Sequence, residues 1–357
     1  MINSPEYVAS IKPYIPGKPI EELERDLGIK RSIKLASNEN PLGPSPLAIE
    51  AIKKVTDLNR YPDGGGYYIR DELSKRRSVG LDNIILGNGS NELIDIAVRT
   101  FLKPGDEAVM AYPSFVMYSM LVQSVGGRPV EIPLRDYRHD LTGMLNAVTE
   151  RTRLLFIANP NNPTGTINRK DEFNHLVCRL PDNILIVVDE AYYEYVTDPE
   201  YADSMKHFRD GKNILILRTF SKIYGLAGLR IGYGIARSDI ITEMNKIRPP
   251  FNTSTMAQVA ALNALYDKGH IKRSLEINED GKRYLYKELD RLGLRYVPTE
   301  ANFIYLPVEN SMVLYKRLFE IGIFIKPMGQ EAIRVTIGLP EENRLFIETI
   351  SKVISSM

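Results

Sequence analysis

Residues 215–230 read LILRTFSKIYGLAGLR, and the reading of the fold starts there. The apolar run from Ile214 to Leu217 has the composition of a buried strand and stops at Thr219. Thr219 and Ser221 supply two hydroxyls beside Lys222, and Gly225 and Gly228 then lead to Arg230. In an open α/β sheet, ligands bind outside the carboxyl ends of the strands. A lysine at the mouth of a buried strand, with an arginine close behind it, therefore raises the question of what anion the two cations serve.

The same texture recurs on either side. From about residue 80, short apolar runs (NIIL, DEAVMAY, RLLFIAN, NILIVVDE, RIGYGIA) alternate with amphipathic helical segments. Strand-then-helix alternation with near-continuous apolar strands predicts an α/β fold, a mainly parallel sheet covered on both faces. After about residue 240 the pattern changes. A helical stretch, STMAQVAALNALYDKG, leads into a long charged helix over roughly 268–292. Strand-like pieces LRYVP, NFIYLPV, IFIKP and AIRVTIG follow, with helices at SMVLYKRLFE and EENRLFIETISKVI. The expected division is a Pro-rich N-terminal arm, 1–30, a large domain, 31–245, and a smaller α+β C-terminal domain, 246–357.

Composition narrows the partners. With 46 basic and 45 acidic side chains the formal charge is +1, which predicts no broad nucleic-acid or membrane surface. No apolar run approaches the roughly 18 residues of a membrane span, and MINSPEYVAS lacks a signal-peptide core. The single cysteine, Cys178, forbids an intramolecular disulfide, which points to the cytoplasm, and its helical context predicts a core thiol. His139, His175, His207 and His270 are far apart and show no metal-ligand spacing.

Five loops that follow strands would converge on one crevice. LGNGSNELIDIAVRTF puts Gly87, Gly89, Ser90 and Asn91 ahead of an amphipathic helix, and free N–H groups at such a start bind phosphate, although a Ser or Asn cap looks the same. NILIVVDEAYYEY ends an apolar strand with Asp189; a buried carboxylate there requires a cationic or hydrogen-bonded partner, such as a structural arginine or a protonated pyridine nitrogen. ANPNNPTGT is a turn in which two Asn-Pro bonds invite a cis peptide. Lys222 desolvated beside Arg230 would have a lowered pKa, and a neutral amine forms a Schiff base with an aldehyde. A phosphate site, an aspartate for a pyridinium nitrogen and a Schiff-base lysine together describe pyridoxal 5′-phosphate.

With these residues in place, the sequence resembles the fold-type I pyridoxal-phosphate aminotransferases, and within them the histidinol-phosphate aminotransferases. The likeness runs through LASNENPLGPSP, RYPDGGG, GNGSNELI, YPSFVMY, NPNNPTG, VVDEAYYEY, TFSKIYGLAGLRIGY, RPPFN and IRVTIG, in that order. It implies a seven-stranded sheet in the large domain and a homodimer with shared active sites. By motif position it implies Lys222 as the Schiff-base lysine and Asp189 as partner of the pyridine nitrogen. Asn162 and Tyr192 correspond to residues that bond the ring oxygen, and Phe115 to the one that stacks on the ring. Ser90, Asn91, Thr219, Ser221 and Arg230 correspond to the phosphate site, with Tyr61 reaching the phosphate of the neighbouring subunit. Arg334 matches the arginine that binds a substrate carboxylate or phosphate, and Tyr14, Asn38, Tyr61, Asn162 and Lys326 complete the implied substrate site. In GIFIKPM the chain departs from the pattern, with Lys326 where the family often has arginine; lysine binds phosphate but lacks the bidentate fork.

The activity so implied is a ping-pong transamination of L-histidinol phosphate with 2-oxoglutarate, giving imidazole-acetol phosphate and L-glutamate in histidine biosynthesis. Two alternatives share the scaffold: an aromatic amino-acid aminotransferase and a threonine-phosphate decarboxylase. A cofactor-binding regulatory module is the alternative of a different class; the near-zero net charge and the lack of a basic helix-turn-helix region count against it.

Overall fold

The computed structural model describes residues 2–13, 22, 25, 28 and 32–356. Its strands are β1 (Ile33–Lys34), β2 (Ile84–Gly87), β3 (Glu107–Tyr112), β4 (Arg128–Pro133), β5 (Thr152–Ala158), β6 (Leu185–Asp189), β7 (Ile214–Thr219), β8 (Gly232–Ile235), β9 (Phe303–Pro307), β10 (Ile323–Phe324), β11 (Lys326–Pro327) and β12 (Ala332–Thr336). Seven of them form one sheet in the order β2-β8-β7-β6-β5-β3-β4. All neighbours run parallel except around β8, which is antiparallel to both β2 and β7. The α/β class expected from the apolar runs is the one observed.

Strand periodicity shows why both faces are covered. Ile214 and Ile216 of β7 join the core on one face, with Ile186 and Val188 of β6. Leu215 and Leu217 join the core on the other face, with Leu185 and Val187. Successive side chains of a strand point to opposite faces, so a run of apolar residues without alternation has to be buried on both. The helix Thr255–Tyr266 buries Ala257, Ala260, Ala261 and Ala264 in the first of these cores, so it packs with the large sheet although it lies beyond residue 245.

A second sheet has the order β11-β12-β9, all antiparallel, with Arg334 of β12 opposite Lys326 of β11 and Tyr305 of β9. Its core is shared with the helices Lys268–Arg291, Ser311–Glu320 and Pro340–Ser355. The short strand β1 pairs in parallel with β10, which draws the segment leading to Asn38 onto this second unit. No helix among the described residues is long and apolar enough to cross a membrane.

Four local expectations change. Cys178 is exposed, because the helix Lys170–Arg179 buries Phe173, Leu176 and Val177 and position 178 is rotated about 100° away from 177 on a 3.6-residue turn. LRYVP is not a strand; only Val297 makes a bridge, to Tyr305. IFIKP divides into β10 and β11, which join different sheets. Conversely, β4 is a strand that its sequence RPVEIP conceals, since two prolines are tolerated only because β4 lies at the sheet edge.

At the carboxyl ends of β6 and β7 the strands are cross-linked. The residue after Asp189, Glu190, accepts from both Nε and Nη2 of Arg218 at 2.8 and 2.7 Å, and both side chains are 1% exposed. The backbone N–H of Glu190 also donates to Leu217 O at 2.8 Å. A buried ion pair adds little net stability, but it disfavours any other placement of its partners. Asp189 and Thr219 are the sequence neighbours of that pair and inherit its placement.

Candidate active site

The return from β7 to β8 accounts for the spacing of the two cations. Thr219 pairs with Gly232 across antiparallel strands. The residues between them therefore form one loop at the carboxyl end of β7, ending in the turn Ala227–Leu229. Arg230 adopts the left-handed backbone conformation (φ 53°), and its Nη1 donates to Ala227 O at 3.1 Å and Ser221 Oγ at 3.4 Å. Two glycines bring this loop against the start of the helix Ser90–Phe101. A Cβ on Gly232 would lie 2.6 Å from Ser90 N, and one on Gly89 (φ 78°) would lie 2.5 Å from Arg230 Nη2. The hydroxyls of Thr219 and Ser221, the Arg230 guanidinium and the helix start thus face one space, as a phosphate monoester requires. Oδ1 of Asn91 is buried there with no partner among the described residues.

That space belongs to a cleft of about 400 Å³ between the strand ends and the second sheet. At its floor, Asp189 is buried; Oδ2 accepts from Tyr118 Oη at 2.8 Å and Oδ1 from Ala191 N at 3.2 Å. Burial pushes its carboxyl up to about 6, against the pull of Tyr118, the Ala191 N–H and the Lys222 charge. Lys222 donates to Ser37 O at 3.3 Å, with Nζ 5.6 Å from the centre of the Tyr192 ring. Burial, together with the Arg334 and Arg230 charges, lowers its amine to about 8, while Glu39 and Asp189 oppose the shift. Arg334 acts here more strongly than Arg230, the neighbour expected from sequence.

Tyr192 accepts at its hydroxyl from Asn38 Nδ2 at 3.0 Å, and burial raises its phenol. Of the two Asn-Pro bonds in ANPNNPTGT, Asn159–Pro160 is cis. From the second sheet, Arg334 is 8% exposed and donates to Asn162 Oδ1 at 2.5 Å and to Ala36 O at 2.7 Å. Lys326 stands opposite it on β11, and burial and the Arg334 charge both lower its amine. Two adjacent cations, one of them buried, thus stand together at the outer end of the cleft.

Asn38, Ser90, Asn91, Phe115, Asn162, Asp189, Tyr192, Thr219, Ser221, Lys222, Arg230, Lys326 and Arg334 all line this one cleft. Tyr61 does not: it is 82% exposed and stacks on Phe251 at 4.8 Å. Tyr14 lies outside the described residues. The sequence reading passes over Tyr118, which also lines the cleft. Its only sequence signal is a helical spacing of three from Phe115 in YPSFVMY.

Comparison with known proteins agrees with this geometry. The family model described as aminotransferase class I and II matches residues 30–350. The chain is 47% identical to the histidinol-phosphate aminotransferase of Moorella thermoacetica, over 98% of this chain and 92% of that one. It is 44% identical to that of Caldicellulosiruptor saccharolyticus, over 98% and 99%. Among solved structures, the histidinol-phosphate aminotransferase of Sinorhizobium meliloti in complex with pyridoxal-5′-phosphate superposes with a TM-score of 0.91 at 28% identity, covering 98% of this chain and 97% of that one. The residues present fit that cofactor: a phosphate cradle closed by Gly89 and Gly232, a buried carboxylate and a desolvated amine share one cleft.

Because the folded protein raises the Asp189 pKa, the cofactor-free fold carries a cost when this carboxyl ionises. Below its ordinary value of 3.8 both folded and unfolded chains are protonated and the cost is absent; above about 6 both are ionised and it is present in full. Cofactor-free Asp189→Asn should therefore be more stable than wild type at pH 8, by about 1–3 kcal/mol. Urea denaturation should show that advantage shrinking as the pH falls from 6 towards 4. An advantage independent of pH would mean that the carboxylate is not desolvated.

Proposed function

The chain belongs to the class I and II aminotransferase family, and from that premise we propose that it transfers the amino group of L-histidinol phosphate to 2-oxoglutarate, giving imidazole-acetol phosphate and L-glutamate in histidine biosynthesis. The observation that carries the choice of substrate is the identity of 47% and 44% to histidinol-phosphate aminotransferases over nearly the full chain. The anion site made by Arg334 and Lys326 supports it, because the phosphorylated donor and the dicarboxylate acceptor each present an anion at the end remote from the reacting carbon.

Pyridoxal phosphate, when bound, supplies an aldehyde that condenses with amines and a ring that takes up the electron pair released at the substrate Cα. Ser90, Asn91, Thr219, Ser221 and Arg230 would hold its phosphate, and Phe115 would cover one face of its ring. Asp189 would hold a proton at the ring nitrogen, since an ionised carboxylate in a dry site favours a cation beside it. Asn162 and Tyr192 would bond the ring oxygen. Lys222 would carry the cofactor between turnovers and move a proton between the substrate Cα and C4′ of the cofactor. An amine lowered to about 8 has a substantial neutral fraction at physiological pH, which a base for that transfer requires. Arg334 would clamp the anion of both substrates, with Lys326 adding a point charge suited to a dianionic phosphate.

The working form would be a cytoplasmic homodimer. Support for the dimer comes from exposed aromatic and apolar side chains, Leu58, Tyr61, Tyr67, Tyr68, Phe251 and Tyr266, of which Tyr61 and Phe251 stack on each other at the surface. Tyr61 is absent from the cleft of its own chain and lies on this surface, where it would complete the cleft of a neighbour.

Steady-state kcat/KM for a panel of donors tests the substrate. Wild type should prefer histidinol phosphate to phenylalanine and tyrosine. Arg334→Ala should weaken histidinol phosphate and glutamate alike, by about 2–4 kcal/mol of transition-state stabilisation, and Lys326→Ala should weaken the phosphorylated donor more than glutamate. A preference for phenylalanine or tyrosine, with Lys326→Ala indifferent, would turn the assignment to an aromatic aminotransferase; release of carbon dioxide would turn it to a decarboxylase.

Subunit mixing tests the shared site. Tyr61→Phe and Lys222→Ala homodimers should each be impaired, whereas their heterodimer should hold one site lacking both groups and one intact. Recovered activity is the expected result. No recovery, with heterodimers verified by mass, would place Tyr61 outside the neighbour's site.

A further inference from the structure

Tyr118 lies in the helix Met117–Ser124 at the back wall of the cleft and is 1% exposed. Its ring stacks on Phe156 of β5 at 4.8 Å and 10°. The ring also meets Phe115 edge-on at 5.5 Å and 84°. Those two contacts leave the phenol little freedom, and its hydroxyl is aimed at Asp189 Oδ2 at 2.8 Å. Desolvation and the Asp189 charge push the phenol well above its usual range, so at working pH it is a donor and not a base.

The other groups facing Asp189 do different work. The Ala191 N–H donates to Oδ1, Lys222 contributes charge from beyond β7, and Glu190 on the same segment opposes ionisation. Tyr192 feels Asp189 but spends its hydroxyl on Asn38. Oδ2 thus has one donor among the described residues, the Tyr118 hydroxyl.

We infer that Tyr118 is a positioning residue: its O–H holds the Asp189 carboxyl in one orientation and in its ionised form, and so sets how firmly a proton is kept at the pyridine nitrogen of bound cofactor. This rests on the proposed placement of Asp189 against that nitrogen. The ring of Tyr118 also buttresses Phe115, so one side chain supports two of the proposed cofactor contacts. Only its hydroxyl acts on the carboxylate.

Tyr118→Phe removes the hydroxyl and keeps both ring contacts. In the cofactor-free protein, carbon-13 NMR of the aspartate carboxyls, with the Asp189 signal assigned by its loss in Asp189→Asn, should place the Asp189 midpoint about one pH unit higher in Tyr118→Phe than in wild type. Titration of the stripped protein with pyridoxal phosphate should show Kd raised about three- to tenfold at pH 6, near the wild-type midpoint, and little changed at pH 8, where the carboxyl is ionised in both proteins. kcat should fall about tenfold, with KM changed less, and the acid limb of its pH profile should move up with the Asp189 midpoint. An unchanged Asp189 midpoint overturns the inference, even if Kd and kcat change, because the role would then be packing alone. The Asp189→Asn protein tests the underlying reading separately: if it turns over like wild type, Asp189 does not serve the ring nitrogen, whatever the midpoint does in Tyr118→Phe.

Discussion

The Lys222 amine lies beyond the end of β7 in the same cleft as Arg334 and Arg230, and the charges of both act on it together with burial. A lowering from 10.5 to about 8 corresponds to about 3 kcal/mol against the ammonium form, an appreciable fraction of the stability of a typical domain. The surroundings have to hold that arrangement against its tendency to relax. The antiparallel return to β8 makes it possible, because a helical crossover after β7 would carry Arg230 away from Lys222. Instead, both stand on one loop whose ends are pinned by the pairing of Thr219 with Gly232.

The remaining parts of the site are placed by the two sheets. The large sheet supplies the floor: Asp189 and Thr219 end neighbouring strands, tied by the Glu190–Arg218 pair just behind them. Arg218 is further held by the Tyr193 ring, 3.6 Å from the guanidinium carbon. The second sheet supplies the outer wall through Lys326 and Arg334. Asn162 bridges the two, accepting from Arg334 while standing in the turn after β5. On the proposed reading, a change at the substrate anion is thereby felt at a side chain that faces the cofactor ring.

Much of this was legible in the sequence because the strands of a doubly covered sheet carry a strong signal. Ile214–Leu217 and Leu185–Val188 cannot be placed other than between two cores, and the polar residues that follow them then fall at one edge. β4 escaped because Arg128, Pro129, Glu131 and Pro133 suit an exposed edge and carry no such signal. Cys178 departs from the expected core position because apolar company in sequence is not the same as helical phase; Val177 holds the buried position next to it. Tyr118 carries no such signal because it lies within a helix, not after a strand, and its meeting with Asp189 depends on how that helix packs. Tyr61 was legible as a motif, but a single chain leaves it on the surface.

Every other role proposed for the cleft depends on Lys222 being the residue that carries the cofactor. Borohydride treatment of the purified, yellow holoprotein, followed by peptide mapping, measures this without reference to any substrate. The expected result is a stable pyridoxyl label on the peptide containing Lys222, with the cofactor bound but no covalent label in Lys222→Ala. A label on any other lysine of the wild-type protein would contradict the assignment of the cleft.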